Sequence, residues 1–158
     1  MNKVKIFKDW KQLSQVLGSI RSGKKIVFTN GCFDILHVGH IHYLKEARDL
    51  GDFLVLALNS DESVRKLKGS ERPLQNEEDR AEILAALECI SFVTIFSEPT
   101  PLEIIKVVRP DILVKGGDWA PEKIVGHEFV SSYGGVTRSL RFVEGRSTTS
   151  IVEKIKRL

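Results

Sequence analysis

Two histidines spaced three residues apart, His37 and His40, are the residues in this sequence best suited to chemistry. They follow an apolar run at residues 25–29 and open a segment with helical periodicity. At that spacing both imidazoles lie on one face of a helix, at its first turn, where free N–H groups and the helix dipole favour an anion. Gly39 stands between them and leaves room for a phosphate near the backbone. The pattern predicts a turn whose two N–H donors stabilise charge on a phosphorus centre during transfer.

Three other interpretations of this turn stay open at this point. The two imidazoles could cap the helix and do nothing else. A metal site of His37, His40 and His42 is less favoured, because His42 falls on another helical face and no carboxylate or cysteine completes the set. Cys32 as a nucleophile with His37 as its base is less favoured still, since a cysteine in a buried turn is usually a small packing residue. The turn matches neither the G-x-G-x-x-G fingerprint nor a Walker A loop.

The elements that must position this turn are short apolar runs alternating with helical segments. Runs of the kind expected for strands buried on both faces occupy residues 25–29, 53–58, 92–96 and 111–115, and a more alternating run at 136–143 reads as a strand nearer an edge. Alternation of strand and helix implies βαβ units, so the predicted fold class is α/β, a Rossmann-like domain with a five-stranded parallel sheet flanked by helices. One domain is expected over residues 1–158, with an N-terminal helix within 1–23 and the α/β core at 24–158.

Helix signals are clearest in four places. Residues 9–20 carry an apolar stripe, and so do Ile83, Leu84, Leu87 and Ile90. Thr100 is predicted to cap a helix that begins at Pro101 and ends before Arg109. A last helix is expected over 149–158.

Composition limits the class of protein. The chain has 158 residues, is 42% hydrophobic and carries a net charge of +3, which is too small a surplus for a nucleic-acid-binding protein. The longest apolar run has six residues, whereas a membrane span needs about 20, so no membrane association is expected. Two cysteines and no secretion signal favour the reducing cytoplasm. A small anionic substrate, bound beyond the carboxyl ends of the strands, suits this composition.

Residues 31–40, Gly-Cys-Phe-Asp-Ile-Leu-His-Val-Gly-His, resemble the G-x-F-D-x-x-H-x-G-H signature of the cytidylyltransferase-like nucleotidyltransferases. We call residues 31–40 the signature loop. Residues 145–150, Gly-Arg-Ser-Thr-Thr-Ser, are similar to the second motif of that family. Three further stretches, at 67–73, 113–119 and 134–135, look like the adenylyltransferase domain of ADP-heptose synthases. That resemblance covers about residues 24–155 and implies transfer of AMP from ATP to D-glycero-β-D-manno-heptose 1-phosphate, with release of pyrophosphate, for the lipopolysaccharide inner core.

The resemblance also implies roles for individual residues. His37, His40 and Lys68 are expected to be catalytic. Lys68 is placed in a Gly-containing loop after the second strand, from which it could close over the phosphates as a mobile cation; the simpler alternative is a solvated side chain. Nucleotide-binding residues are expected at Asn30, Gly31, Cys32, Phe33, Asp34, Gly39, Arg80, Gly117, Asp118, Trp119, Ser147, Thr148 and Thr149.

Several of these residues also have a purely structural interpretation. One of the three hydroxyls at 147–149 is expected to cap the last helix. Arg80 in a first helical turn opposes the dipole, which suggests a ligand, although a salt bridge to Glu77 would explain it equally. Asp34 is expected to orient the loop or a histidine, and Trp119 could equally belong to the core.

One position departs from the related glycerol-phosphate cytidylyltransferases, which have an arginine where Phe142 stands here. This departure weakens the alternative of a CTP-dependent enzyme acting on a polyol phosphate, although Arg141 or Arg146 could supply the charge. The third alternative, from another class, is a nucleotide-binding module without turnover. Magnesium bound mainly by the substrate is expected, as are a homodimer and a separate heptose kinase.

Overall fold

A computed structural model describes residues 5–141 and 145–158. In these residues the strands are β1 (Ile6–Phe7), β2 (Ile26–Gly31), β3 (Phe53–Asn59), β4 (Phe92–Phe96), β5 (Ile112–Gly116) and β6 (Val136–Leu140). The α-helices are α1 (Trp10–Ile20), α2 (Val38–Asp49), α3 (Asp61–Lys68), α4 (Glu77–Ala86), α5 (Leu102–Val108), α6 (His127–Ser131) and α7 (Thr148–Lys156), and a short 3₁₀ helix spans Pro121–Lys123.

All the strands pair in parallel, in the order β1-β4-β3-β2-β5-β6. From β2 the chain moves outward through β3 to β4, and then crosses back to place β5 on the other side of β2. The order therefore reverses between β2 and β5, and the crevice beyond the carboxyl ends of these two strands is where an open α/β sheet binds its ligand.

Helices cover both faces of the sheet. Side chains of α2 and α4 pack on one face against Leu54, Leu56 and Leu58, and side chains of α1, α5 and α6 pack on the other face against Val55 and Ala57. This alternation along β3 confirms the predicted α/β class and explains why the apolar runs are nearly continuous: both faces of each central strand are buried.

The sheet has six strands in the described residues, so the predicted count of five is wrong. The missed strand, β1, pairs with β4 at the sheet edge through Ile6 and Phe7. The amide of Val93 donates to the Lys5 carbonyl at 2.7 Å, and the hydroxyl of Thr94 donates to the Phe7 carbonyl at 2.8 Å. Two residues are too few to show any periodicity, and the N-terminal segment therefore contributes to the sheet as well as forming α1.

Helix boundaries agree with expectation in part. Asp9 caps α1 by accepting from the Lys11 amide at 2.8 Å. The helix before Pro110 does end at Val108, but Thr100 is not its cap: Pro101 holds the N-cap position, without a side-chain hydrogen bond. Helix α7 begins at Thr148 rather than at residue 149. Strand β6 ends at Leu140, and residues 142–144 of the predicted run lie outside the described residues.

Helix α3 was missed because its sequence is dominated by charge. It has Asp61 and Glu62 in its first turn and three basic residues in its last turn, an order that suits the helix dipole. Its apolar contribution to the core is the side chain of Val64. Within the part of the chain that the structure describes, no helix combines the length and apolar character needed to cross a membrane.

We predict that Leu84→Ala lowers the free energy of unfolding by about 3 kcal/mol, because it leaves a cavity under α4. Leu84 is 0% exposed, whereas its neighbour Ile83, which the apolar stripe also placed in the core, is 40% exposed. Ile83→Ala is therefore the control, with an expected loss below about 1 kcal/mol. Urea denaturation of both variants measures the difference, and equal losses would contradict the packing described here.

Candidate active site

A cavity of about 360 Å³ opens at the carboxyl ends of β2 and β5, where the strand order reverses. Its lining combines the signature loop, the ends of β3, β4 and β5, and residues from α2, α3 and α7. The lining residues are Asn30, Gly31, Cys32, Phe33, Asp34, His40, Tyr43, Asn59, Leu67, Lys68, Phe96, Pro99, Pro101, Lys115, Gly116 and Thr148. The cavity therefore lies where the topology predicts a ligand.

The two histidines stack on each other at the start of α2. His37 holds the N-cap position, and the ring centroids of His37 and His40 lie 3.9 Å apart with an angle of 26° between the planes. The His37 side chain makes no capping hydrogen bond, so His37 holds the N-cap position without its imidazole capping the helix. The Nδ1 atoms of both rings are buried and have no hydrogen-bond partner among the described residues, which leaves this end of the helix ready for a polar ligand.

Glycine is needed at position 39 because the neighbouring side chains leave no room for a Cβ atom; its backbone angles do not require glycine. A Cβ atom there would lie 2.9 Å from Nδ1 of His37 and 3.4 Å from the Cβ of Arg146. A side chain at position 39 would therefore push His37 away from His40. The same contact places Arg146 beside the histidine pair.

Both histidines favour the neutral form. Burial, together with the nearby charges of His37 and Lys68, lowers the pKa of His40 to about 4. Burial also lowers the pKa of His37, with a smaller contribution from Arg146. Since no carboxylate within residues 5–141 and 145–158 offsets these positive charges, the pair is poised to receive a negatively charged ligand.

The metal and nucleophile alternatives find no support in the geometry. His42 lies on the exposed side of α2, and the described residues contain no group of three histidine, cysteine or acidic side chains placed to hold a metal ion. Cys32 is a free cysteine, and within those same residues no hydrogen bond joins it to His37.

Asp34 fixes the loop between α3 and α4. Its buried carboxylate accepts from Nε of Arg72 at 2.6 Å and from the amides of Leu74 and Gln75 at 2.8 and 3.0 Å. Burial raises the pKa of Asp34, but the hydrogen bonds from Gln75, Leu74 and Arg72 outweigh it and hold the pKa below its usual value. Of the two predicted roles, the structure places Asp34 at the loop and not at a histidine.

Arg80 is buried beneath the signature loop, with 1% of its surface exposed. Its Nη1 donates to the carbonyls of Cys32 and Asn59 at 2.7 and 2.9 Å, and its Nε donates to the carbonyl of Gln75 at 3.0 Å. Its Nη2 forms an ion pair with Asp61 at 2.6 Å. The guanidinium thus joins the signature loop to the end of β3 and the start of α4.

The predicted salt bridge between Arg80 and Glu77 is wrong, because Asp61 is the partner. Glu77 instead accepts from the Asp61 amide at 2.8 Å and so helps to hold the start of α3. The true partner was hidden because α3 itself was not predicted.

Lys68 is the last residue of α3, not part of a loop, and its exposed side chain borders the cavity. Gly69 follows it with φ of 97°, a conformation that favours glycine, and ends the helix. The Lys68 ammonium is near enough to His40 to lower its pKa, so the two residues share one side of the cavity.

The three hydroxyls of the second motif have separate positions. Ser147 caps α7, accepting from the Ser150 amide at 3.0 Å in a capping box. Thr148 lines the cavity and donates to the Ile35 carbonyl at 3.1 Å, which docks α7 on the signature loop. Thr149 is exposed and lies outside the lining. The prediction that one hydroxyl caps the helix is confirmed.

Gly117, Asp118 and Trp119 lie beside the cavity rather than in its lining. The Gly117 amide donates to the Leu140 carbonyl at 2.8 Å. Trp119 is 53% exposed, so its interpretation as a core residue is wrong; its Nε1 donates to the Gly116 carbonyl at 3.2 Å. The indole is an exposed aromatic surface next to the mouth of the cavity.

Similarity to known proteins assigns the family of this chain. The family model described as cytidylyltransferase-like matches residues 28–153. This match includes the histidine pair, the cavity and the start of α7. The chain belongs to the cytidylyltransferase-like family.

Other members are closely similar to this chain. "Bifunctional protein HldE" of Geotalea uraniireducens is 61% identical over 134 residues, which cover 85% of this chain and 27% of that protein. The protein of the same name from Campylobacter fetus subsp. fetus is 56% identical over 144 residues, 91% of this chain and 31% of that protein. The chain thus spans less than a third of the length of the curated relatives it matches.

Solved structures agree on the fold. The lipopolysaccharide core biosynthesis protein from Thermoplasma volcanium GSS1 is 30% identical, with a TM-score of 0.63, covering 78% of this chain and 100% of that one. A pantoate-beta-alanine ligase from Francisella tularensis has a TM-score of 0.65 at 16% identity, covering 99% of this chain and 79% of that one, and shows the fold alone.

Several lining residues of this cytidylyltransferase-like site were not predicted. Lys115 is a lysine in an otherwise apolar, buried strand, which is a signal that the sequence does carry. Tyr43 lies under the cavity, where its hydroxyl shares a hydrogen bond with Thr29 and burial raises its pKa to about 12. Asn59 and Phe96 end β3 and β4 and reach the cavity because parallel strands end at one edge.

We predict that Arg80→Met lowers the free energy of unfolding by about 3 kcal/mol, because it leaves buried carbonyls and the Asp61 carboxylate without a partner. Arg65→Met is the matched control, since Arg65 is an exposed arginine on α3. Urea denaturation measures both variants. A loss no larger for Arg80→Met than for the control would show that Arg80 does not hold these segments together.

We also predict that His40 shows no titration step between pH 8 and pH 5, because its pKa lies at about 4. An unfolded histidine titrates near pH 6.5. Between that value and the folded pKa the unfolded chain binds more protons, so His40 makes stability fall as the pH drops through this window. NMR of the imidazole ring protons across this range is the measurement, and a His40 midpoint near pH 6.5 would overturn the description.

Proposed function

We propose that this protein transfers AMP from ATP to D-glycero-β-D-manno-heptose 1-phosphate, giving ADP-heptose and pyrophosphate. The observation that carries the proposal is identity of 55–62% with proteins named HldE over 84–91% of the chain, together with the resemblance of residues 67–73 and 113–119 to ADP-heptose synthases. The similarity to a lipopolysaccharide core biosynthesis protein supports the same pathway.

The reaction is an in-line displacement. An oxygen of the acceptor phosphate forms a bond to the α-phosphorus of ATP, and the bond from that phosphorus to the oxygen bridging the β-phosphate breaks, so that pyrophosphate leaves with the electron pair. No covalent enzyme intermediate is required, and the protein's contribution is to position and neutralise anions.

The predicted catalytic and phosphate-binding residues have these parts in the proposal. His37 and His40 donate to the nucleotide phosphates at the start of α2, and Lys68 adds a positive charge from the end of α3. The first amides of α7 bind the β- and γ-phosphates, with the hydroxyl groups of Ser147, Thr148 and Thr149 beside them.

The remaining predicted contacts surround the nucleotide. Asn30, Gly31, Cys32 and Phe33 line the cavity, and Gly39 allows the phosphates to approach the start of α2. Gly117, Asp118 and Trp119 border the mouth, where adenine or ribose packs on the exposed indole. Arg80 and Asp34 support the site indirectly. The Arg80 guanidinium already donates to protein oxygens, and the Asp34 carboxylate already accepts from Arg72 and a backbone amide.

In this proposal magnesium enters the site bound to ATP. Asp34 is the acidic residue of the cavity lining, and its carboxylate is already bound by three donors. The described residues therefore do not build a magnesium site of their own, and the ion is expected on phosphate oxygens and water.

The cellular setting is also part of the proposal. We expect a cytoplasmic homodimer that receives its sugar phosphate from a heptose kinase. Gel filtration with light scattering tests the dimer.

We predict that His37→Ala and His40→Ala each lower kcat by about 100- to 1,000-fold, because each removes a donor to charge that develops in the transition state. Pyrophosphate release is measured with ATP and heptose 1-phosphate, and in parallel with CTP and glycerol 3-phosphate. His42→Ala, on the exposed side of the same helix, is the control and keeps wild-type turnover.

The two nucleotides separate the alternatives. Turnover with ATP and not with CTP supports the adenylyltransferase. Preference for CTP would replace it with a polyol-phosphate cytidylyltransferase, and tight ATP binding without pyrophosphate release would indicate a binding module.

A further inference from the structure

Lys115 is a charged residue of the cavity lining that the roles above leave unused. It is the fourth residue of β5 and its half-buried side chain lines the cavity. Side chains alternate along a strand, with Val114 in the core under α2 and α4 and Leu113 in the core under α1, α5 and α6. Lys115 therefore points to the same face as Leu113, away from the face that carries the histidines.

Lys115 is a cation without a counter-ion. Among the described residues, none of the ion pairs includes Lys115, and its ammonium group donates no hydrogen bond. Burial lowers its pKa, an effect that the neighbouring Cys32 opposes only in part. A charge held in a partly dry cavity costs free energy unless a ligand of opposite charge accompanies it.

The cavity crosses the end of the sheet, and its two sides differ. His40 and Thr148 reach it from the α2 and α7 side, and Lys68 acts electrostatically on His40 there. Pro99 and Pro101, which precede α5, border the Lys115 side. Two separate sides of the cavity suit an in-line displacement, because the attacking and leaving oxygens occupy opposite sides of the α-phosphorus.

We infer that Lys115 binds the phosphate of the acceptor sugar phosphate and holds it for attack, while the histidine side binds the triphosphate. The inference rests on the proposed function and assigns the second substrate of the same site. The ammonium group donates charge-assisted hydrogen bonds to the attacking phosphate monoester. Lys115 then determines substrate specificity: a phosphorylated acceptor binds, and an unphosphorylated sugar does not bind.

The first test compares Lys115→Met, Lys115→Arg and, as a control, Lys123→Met. Lys123 is an exposed lysine of the 3₁₀ helix, outside the cavity lining. Lys115→Met is expected to raise the KM for heptose 1-phosphate about 10- to 100-fold, with the KM for ATP within about two-fold of wild type. Lys115→Arg restores part of the loss, and Lys123→Met changes neither constant. An unchanged KM for the sugar phosphate in Lys115→Met, or a rise in the KM for ATP instead, overturns the inference.

The second test does not depend on turnover. An amine with a lowered pKa reacts readily with acetic anhydride, and mass spectrometry measures acetylation of Lys115. With a non-hydrolysable ATP analogue already bound, heptose 1-phosphate is expected to protect Lys115. Protection by the ATP analogue alone assigns Lys115 to the nucleotide and overturns the inference.

The two proposals fail separately. Absence of pyrophosphate release by the wild-type protein with ATP and heptose 1-phosphate refutes the proposed function. In that case inorganic phosphate replaces the sugar phosphate in the acetylation experiment with the ATP analogue. Protection of Lys115 by phosphate then supports an anion subsite on this side of the sheet, and equal acetylation with and without phosphate rejects it.

Discussion

Arg80 carries a positive charge into a part of the protein where 1% of its surface reaches solvent. Desolvating a guanidinium is costly, and here three carbonyls and one carboxylate offset that cost. The partners come from the signature loop, the end of β3, the start of α3 and the turn before α4. Two of these segments, the signature loop and the end of β3, line the cavity, so Arg80 supports the shape of the cavity although it is not one of the lining residues.

The side chains around the cavity are arranged to bind a polyanion. Lys68, Lys115 and Arg146 bring positive charge to or beside the cavity, and the carboxylate in its lining, Asp34, is directed into the loop between α3 and α4. Burial lowers the pKa of both histidines, with further contributions from Arg146 at His37 and from His37 and Lys68 at His40, so the neutral forms are favoured. The protein thus keeps its attraction for phosphate without holding a carboxylate that would compete for the cations.

The α/β architecture could be predicted because apolar runs in the sequence mark the buried strands directly. Continuous apolar runs gave the central strands, and the position of His37 and His40 after the first of them placed the histidine pair at the correct edge of the sheet. Strand β1 and helix α3 were missed, since one has two residues and the other has a single buried apolar side chain, Val64. The Asp61 partner of Arg80 was lost for the same reason. The role of Lys115 depends on the face of the sheet to which it points, and that requires the register of β5 as well as its composition.

The stacked, neutral histidines have a consequence for energetics measured by calorimetry. A triphosphate seated beside His37 and His40 stabilises their protonated forms and raises both pKa values toward neutrality. Nucleotide binding is then linked to proton uptake from the buffer, and the observed heat of binding depends on the ionisation enthalpy of the buffer chosen. Under the proposed function, the affinity for nucleotide therefore increases as the solution becomes mildly acidic, until the phosphates themselves take up protons.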